Sequence, residues 1–243
     1  MKKALLFAIG IIITVNVYSQ NAVPTHIRAI NLMQQVKAGV TTSDVFFEIP
    51  LPAGKVIGDT YLDTEWKPGS IMLFDSDKMV KGYPIRYDIN TNEIEISSST
   101  GVKVLFGKKV RSFMWLDSLT DTPHYFVNAS TYIEDNVAPL TGFFEVLADG
   151  NFPLFKRTVL VVEKANYNHQ LNAGSRDDKI IKQVDYFAAS GNKMIPLPSS
   201  KKKFFVLFGE RAEEVMNYSK QNAPRIARED DLKAIFDFYN GSH

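Results

Sequence analysis

Between Ser70 and Pro196 the apolar residues recur in short runs broken by turn-forming residues. Ile71–Phe74 and Tyr83–Ile89 read as strands joined through Asp75-Ser76-Asp77. After Asn90-Thr91-Asn92, Ile94 and Ile96 alternate with Glu93 and Glu95, as in a half-buried strand. Val102, Val104 and Phe106 share one face of the next strand, and Val110–Leu116 and Tyr125–Asn128 follow. Asp149-Gly150 suits a type I′ hairpin turn between Gly142–Ala148 and Phe152–Lys164. Val159 to Val162 is continuously apolar, which predicts a central strand covered on both faces. A last hairpin joins Ile180–Ala188 to Lys193–Leu197 through Ser190-Gly191. Regular strand spacing without intervening helices predicts an antiparallel meander forming a sandwich or open barrel.

The period changes towards the C-terminus. Ser199 or Ser200 can cap a helix over Lys201–Phe208, closed by Gly209. Ala212, Val215, Met216 and Ser219 follow helical spacing up to Pro224, and Leu232, Ile235, Phe236 and Tyr239 repeat it before Gly241. Glu229, Asp230 and Asp231 favour the start of that last helix through its dipole. Both apolar stripes need cover, so the expected fold class is mainly β (α+β), with C-terminal helices packed on the sheet. Upstream, residues 26–38 fit either a short helix capped by Thr25 or an extended arm, before Pro50, Pro52 and Gly54 break the chain.

At the N-terminus two lysines precede an apolar run of about 12 residues, with Val17 and Ser19 small enough for signal-peptidase subsites. A spanning helix needs roughly 20 residues, so a cleaved secretory signal fits better than an anchor. Cleavage after Ser19 leaves 224 residues starting at Gln20, with 26 basic against 27 acidic side chains. The expected organisation is therefore 1–19 signal peptide, 20–65 N-terminal arm or short helix, 66–198 β-rich body and 199–243 helical segment. The expected location is periplasmic or extracellular, with no transmembrane helix after signal removal.

With 45% hydrophobic and 12% aromatic residues, the chain has the apolar mass to fold, which excludes disorder. Zero cysteines exclude disulfides, thiol catalysis and thiolate metal sites. The near-neutral charge gives no field for nucleic acid. The four histidines form no metal-ligand pattern, and no nucleophile elbow, phosphate loop or dinucleotide fingerprint is present, so no cofactor or metal is expected. A catalytic pair of carboxylates leaves no linear signature and stays open.

The most unusual segment is residues 167–178, rich in hydrogen-bonding side chains between two strong strands. Tyr167, Asn168, Arg176 and Asp177 are the candidate ligand contacts, suited to a hydroxyl- or carboxylate-bearing ligand. The competing reading is a structural loop in which Arg176 pairs with Asp177 or Asp178. Asp177 and Asp178 lack the ordered spacing of an EF-hand calcium loop.

Several blocks carry a family resemblance: the Tyr18-Ser19-Gln20 signal end, Trp66-Lys67-Pro68-Gly69-Ser70-Ile71, Arg86-Tyr87-Asp88, Gly142–Leu147, the Gly174–Asp178 loop and the Asp230–Asn240 ending. Together they resemble an uncharacterised exported β-rich protein family of Bacteroidota, which implies export but no catalytic residue. The resemblance also implies that Asp117-Ser118-Leu119 is similar to the O-glycosylation motif of that phylum. The expected function is a non-enzymatic binding or structural module of the cell envelope, with a glycan or an envelope protein as partner. The alternative is a hydrolase or glycan-processing enzyme with a spatially assembled carboxylate site.

Overall fold

The structure is a computed structural model that describes residues 54–75, 79–134, 140–168, 170–222 and 225–241. The signal segment, residues 26–38, Ser76, Asp77, His169 and Pro224 lie outside the described residues. Eleven strands form one mixed, unclosed sheet: β1 (Val56–Ile57), β2 (Lys67–Leu73), β3 (Met79–Asp88), β4 (Glu93–Ser98), β5 (Gly101–Phe106), β6 (Val110–Leu116), β7 (Pro123–Asn128), β8 (Phe143–Ala148), β9 (Leu154–Glu163), β10 (Asp178–Ser190) and β11 (Lys193–Pro196). Three helices follow, α1 (Lys201–Val206), α2 (Ala212–Asn222) and α3 (Glu229–Gly241).

The mainly β expectation with C-terminal helices holds, and the sheet refines it. Two antiparallel meanders, β2–β5 and β6–β11, are joined because β6 returns to β2 rather than pairing with β5. One pair is parallel: β1 lies beside β10, with Val56 opposite Asp178. The sheet curls strongly. Tyr87 on β3 meets Phe143 on β8 edge to face, with ring centroids 5.2 Å apart, although three strands separate them.

Cross-strand register builds one inward row: Ile71, Phe113, Phe126, Glu145, Lys156 and Tyr186 on β2, β6, β7, β8, β9 and β10. Its first half is apolar. Phe113 stacks on Phe126 at 4.5 Å inside a core with Ile85, Ile94 and Trp115. Its second half is charged and lies under the start of α3. Beyond it, Ala148, Leu154 and Ala188 are covered by Phe204 of α1, Phe208, Val215 of α2 and Leu232, Ile235 and Phe236 of α3. On the opposite face Phe144, Phe155 and Phe187 pack with Ala129, Leu140 and Met194.

Two local expectations change and two hold with a qualification. The Asp149-Gly150 turn is a longer connection between Ala148 and Leu154, because Asn240 from α3 binds the Phe152 backbone at both N and O. Val102, Val104 and Phe106 do share a face, but it is the outer one of an edge strand; Leu105 packs inward instead. Val159–Val162 is not covered on both faces: Val161 and Val162 are 41% and 49% exposed, because this half of β9 runs past the point where β8 leaves it. Ser200 does stand before α1, but its hydroxyl makes no capping bond.

Candidate functional site: a cavity where two strands part

β8 pairs with β9 from Ala148↔Leu154 to Glu145↔Lys156 and no further. Phe143 and Phe144 stay on β7 instead, opposite Asn128 and Val127. The two strands therefore splay, and a cavity of about 300 Å³ fills the fork. Arg157–Leu160 line it from β9, Thr141 and Gly142 from the approach to β8, and Tyr87, Asn90 and Asn92 from the end of β3 and its turn. The volume lies at the small end of ligand pockets.

Its polar groups are held in place. The Tyr87 hydroxyl donates to Asn92 Oδ1 at 3.0 Å. Burial raises the Tyr87 pKa, and Arg157 nearby works the other way, so the phenol stays protonated. Gly142 has φ +89, a conformation that favours glycine, and a Cβ there would stand 3.2 Å from the Tyr87 oxygen and crowd that hydroxyl. Arg157 Nη2 donates to the Thr141 carbonyl at 3.1 Å, with the guanidinium 5.7 Å from the Phe144 ring centre. Among the described residues no carboxylate pairs with Arg157. A half-buried guanidinium with donors to spare, at the wall of a cavity, is suited to an oxyanion.

Its neighbour Lys156 is the contrast. Glu145 Oε2 lies 3.3 Å and Glu229 Oε2 3.0 Å from its ammonium. Burial opposes the charge, yet the two carboxylates together hold the Lys156 pKa above its ordinary value. Glu145 Oε1 also meets His124 Nδ1 at 2.5 Å, and the Tyr186 hydroxyl donates to Glu229 Oε2 at 3.0 Å. Burial, and then that bond to Glu229, push the Tyr186 phenol up to about 12. The two glutamates thus meet in space, as a catalytic pair would, but around a lysine that bridges them and away from the cavity lining.

The structure places the four sequence-predicted contacts in the loop between β9 and β10. Arg176 lies over the Tyr167 ring at 4.3 Å and donates to its hydroxyl, which in turn donates to Asn172. Asn168 Oδ1 accepts from Gln170 N and Leu171 N within a tight turn. Asp177 Oδ1 accepts from Lys55 N at 2.8 Å, and Asp178 takes Lys164 and Ala165 N. Arg176 therefore anchors on an aromatic ring, and each aspartate has a different partner. Tyr167 and Arg176 come together; of the four, Asp177 alone borders the neighbouring cavity of about 320 Å³. Ser118 sits exposed in the turn after β6, where Asp117 accepts from Leu119 N and Thr120 N.

Sequence reasoning missed Arg157. The local signal was a cation shortly before the apolar run Val159–Val162 of the same strand. No family model, curated protein or solved structure matches the chain. No helix among the described residues is long and apolar enough to cross a membrane.

Proposed function

We propose that the chain is an exported, non-enzymatic binding module of the cell envelope that holds a small carboxylate-bearing ligand in the fork between β8 and β9. The observation that carries the reading is Arg157, a half-buried cation without a carboxylate partner among the described residues, on the wall of a cavity of ligand size. The fixed hydroxyl and amide of Tyr87 and Asn92 supply a second polar anchor, and preorganised groups of this kind bind at low ordering cost. An acidic sugar of a glycan and the end of a protein chain both present the required group.

The test is a thermal-shift and calorimetric screen of residues 20–243 against uronic acids, hydroxy acids and amino acids, each beside its neutral amide or ester. Acids are expected to raise the melting temperature where their neutral counterparts do not; a ligand at a hundred times its Kd adds about 2.7 kcal/mol. Arg157→Ala should abolish the difference. Equal stabilisation by acid and amide, or an undiminished effect in Arg157→Ala, would overturn the reading. Export with cleavage after Ser19 belongs to the same proposal and predicts a mature envelope protein whose mass begins at Gln20. Intact Met1–Ser19 on the membrane-bound protein would contradict it.

A further inference from the structure

We infer that the ligand of this cavity is an extended peptide ending in a free carboxylate, added as a strand to the open edge of β9. This rests on the reading of the fork as a binding site and narrows its ligand class. β9 continues for seven residues beyond its last pairing with β8, and over this stretch it is bonded to β10 on one edge only. Among the described residues nothing pairs with the other edge from Thr158 to Glu163. Unpaired main-chain donors and acceptors along a strand edge are a template for another strand. Six residues at about 3.3 Å each offer roughly 20 Å of edge, enough for a peptide of about five residues.

The fork fixes direction as well as chemistry. A peptide running antiparallel to β9 enters from Glu163 and travels towards Arg157, in the same sense as β8. Its last residue then reaches the narrow end of the fork, where Phe143 and Gly142 block further travel and Arg157 stands ready for a carboxylate. The charge of a chain terminus meets Arg157, the one cation of the cavity lining among the described residues. Val161 and Val162 point to opposite faces of β9 and are exposed, so alternate peptide side chains find an apolar neighbour on either face.

The experiment uses residues 20–243 and a fluorescently labelled pentapeptide library with free C-termini, beside the same library C-terminally amidated. The free-acid library is expected to bind roughly tenfold or more tightly than the amides, as a charge-assisted bond requires. N-methylation of alternate backbone amides in the best peptide should weaken binding by a similar factor, and Arg157→Ala should erase the preference for the acid. Amide exchange at 158–163 should slow on binding. Equal binding of acid and amide, or of the N-methylated peptide, would overturn strand addition. Binding of uronic or free amino acids without any peptide would overturn it too, while leaving the small-ligand reading intact. No binding by either class would sink both.

Discussion

Replacing Phe236 by alanine is expected to cost about 3–5 kcal/mol. Spread over a domain of this size, that loss lowers the melting temperature by roughly 6–20 °C. Phe236 is fully buried and stands at the centre of an aromatic cluster. Its ring stacks on Phe152 at 5.6 Å, and Phe208 and Phe204 approach edge to face at 5.3 and 6.3 Å. Phe152 belongs to the β8–β9 connection, so the cavity left by alanine opens where helix and sheet meet, with walls fixed from both sides. Val206, 67% exposed on α1, is the control, and its replacement by alanine should change stability by no more than about 0.5 kcal/mol. Urea and thermal melts of both variants decide the matter. A Phe236→Ala protein that melts like wild type would mean that α3 is not docked.

The second large effect is expected at Glu145. This carboxylate is 8% exposed and serves both His124 and Lys156. Glu145→Ala removes an acceptor from the imidazole and one of two counter-charges from a half-buried ammonium. Leaving such groups short of partners should cost about 2–4 kcal/mol. Glu229 faces the same lysine from the rim, with a side chain 39% exposed, so water can replace it, and Glu229→Ala should cost about 1 kcal/mol or less. In the double variant Lys156 has neither carboxylate, and the loss should exceed the sum of the single losses. The idea fails if Glu229→Ala proves as damaging as Glu145→Ala.

What could be read in the sequence was whatever local chemistry decides. Strand existence followed from alternation, as in Ile94 and Ile96, both packed in or against the first core, and the helical stripe Leu232/Ile235/Phe236 is buried as its spacing required. What could not be read depends on position in the sheet. A period of two groups Val102, Val104 and Phe106 on one face but does not say which face is inner, and on an edge strand the apolar set ends outside. The return of β6 to β2 is invisible to turn signals, which report only where a chain reverses. Val159–Val162 resembled a covered strand because an apolar run records nothing about where the neighbouring strand stops. Arg157 became a site residue through that same stopping point. The 167–178 loop was legible as polar, but the side chain Arg176 would choose was not: Asp177 and Asp178 are adjacent in sequence, yet the guanidinium reaches the Tyr167 ring nine residues away.

The brief parallel contact of β1 with β10 sets the order in which the fold comes apart. Two residue pairs hold β1 to β10, Lys55 N donates to the Asp177 carboxylate beside them, and both side chains of β1 are largely exposed. Elements with so little burial open at far lower free energy than the core they lean on. Peeling of β1 is therefore a low-cost excursion, and it bares the second edge of β10 at Asp178 and Lys179 without disturbing the helices. A protease that needs an extended substrate would find a foothold at Val56 while the helices and the rest of the sheet stay in place.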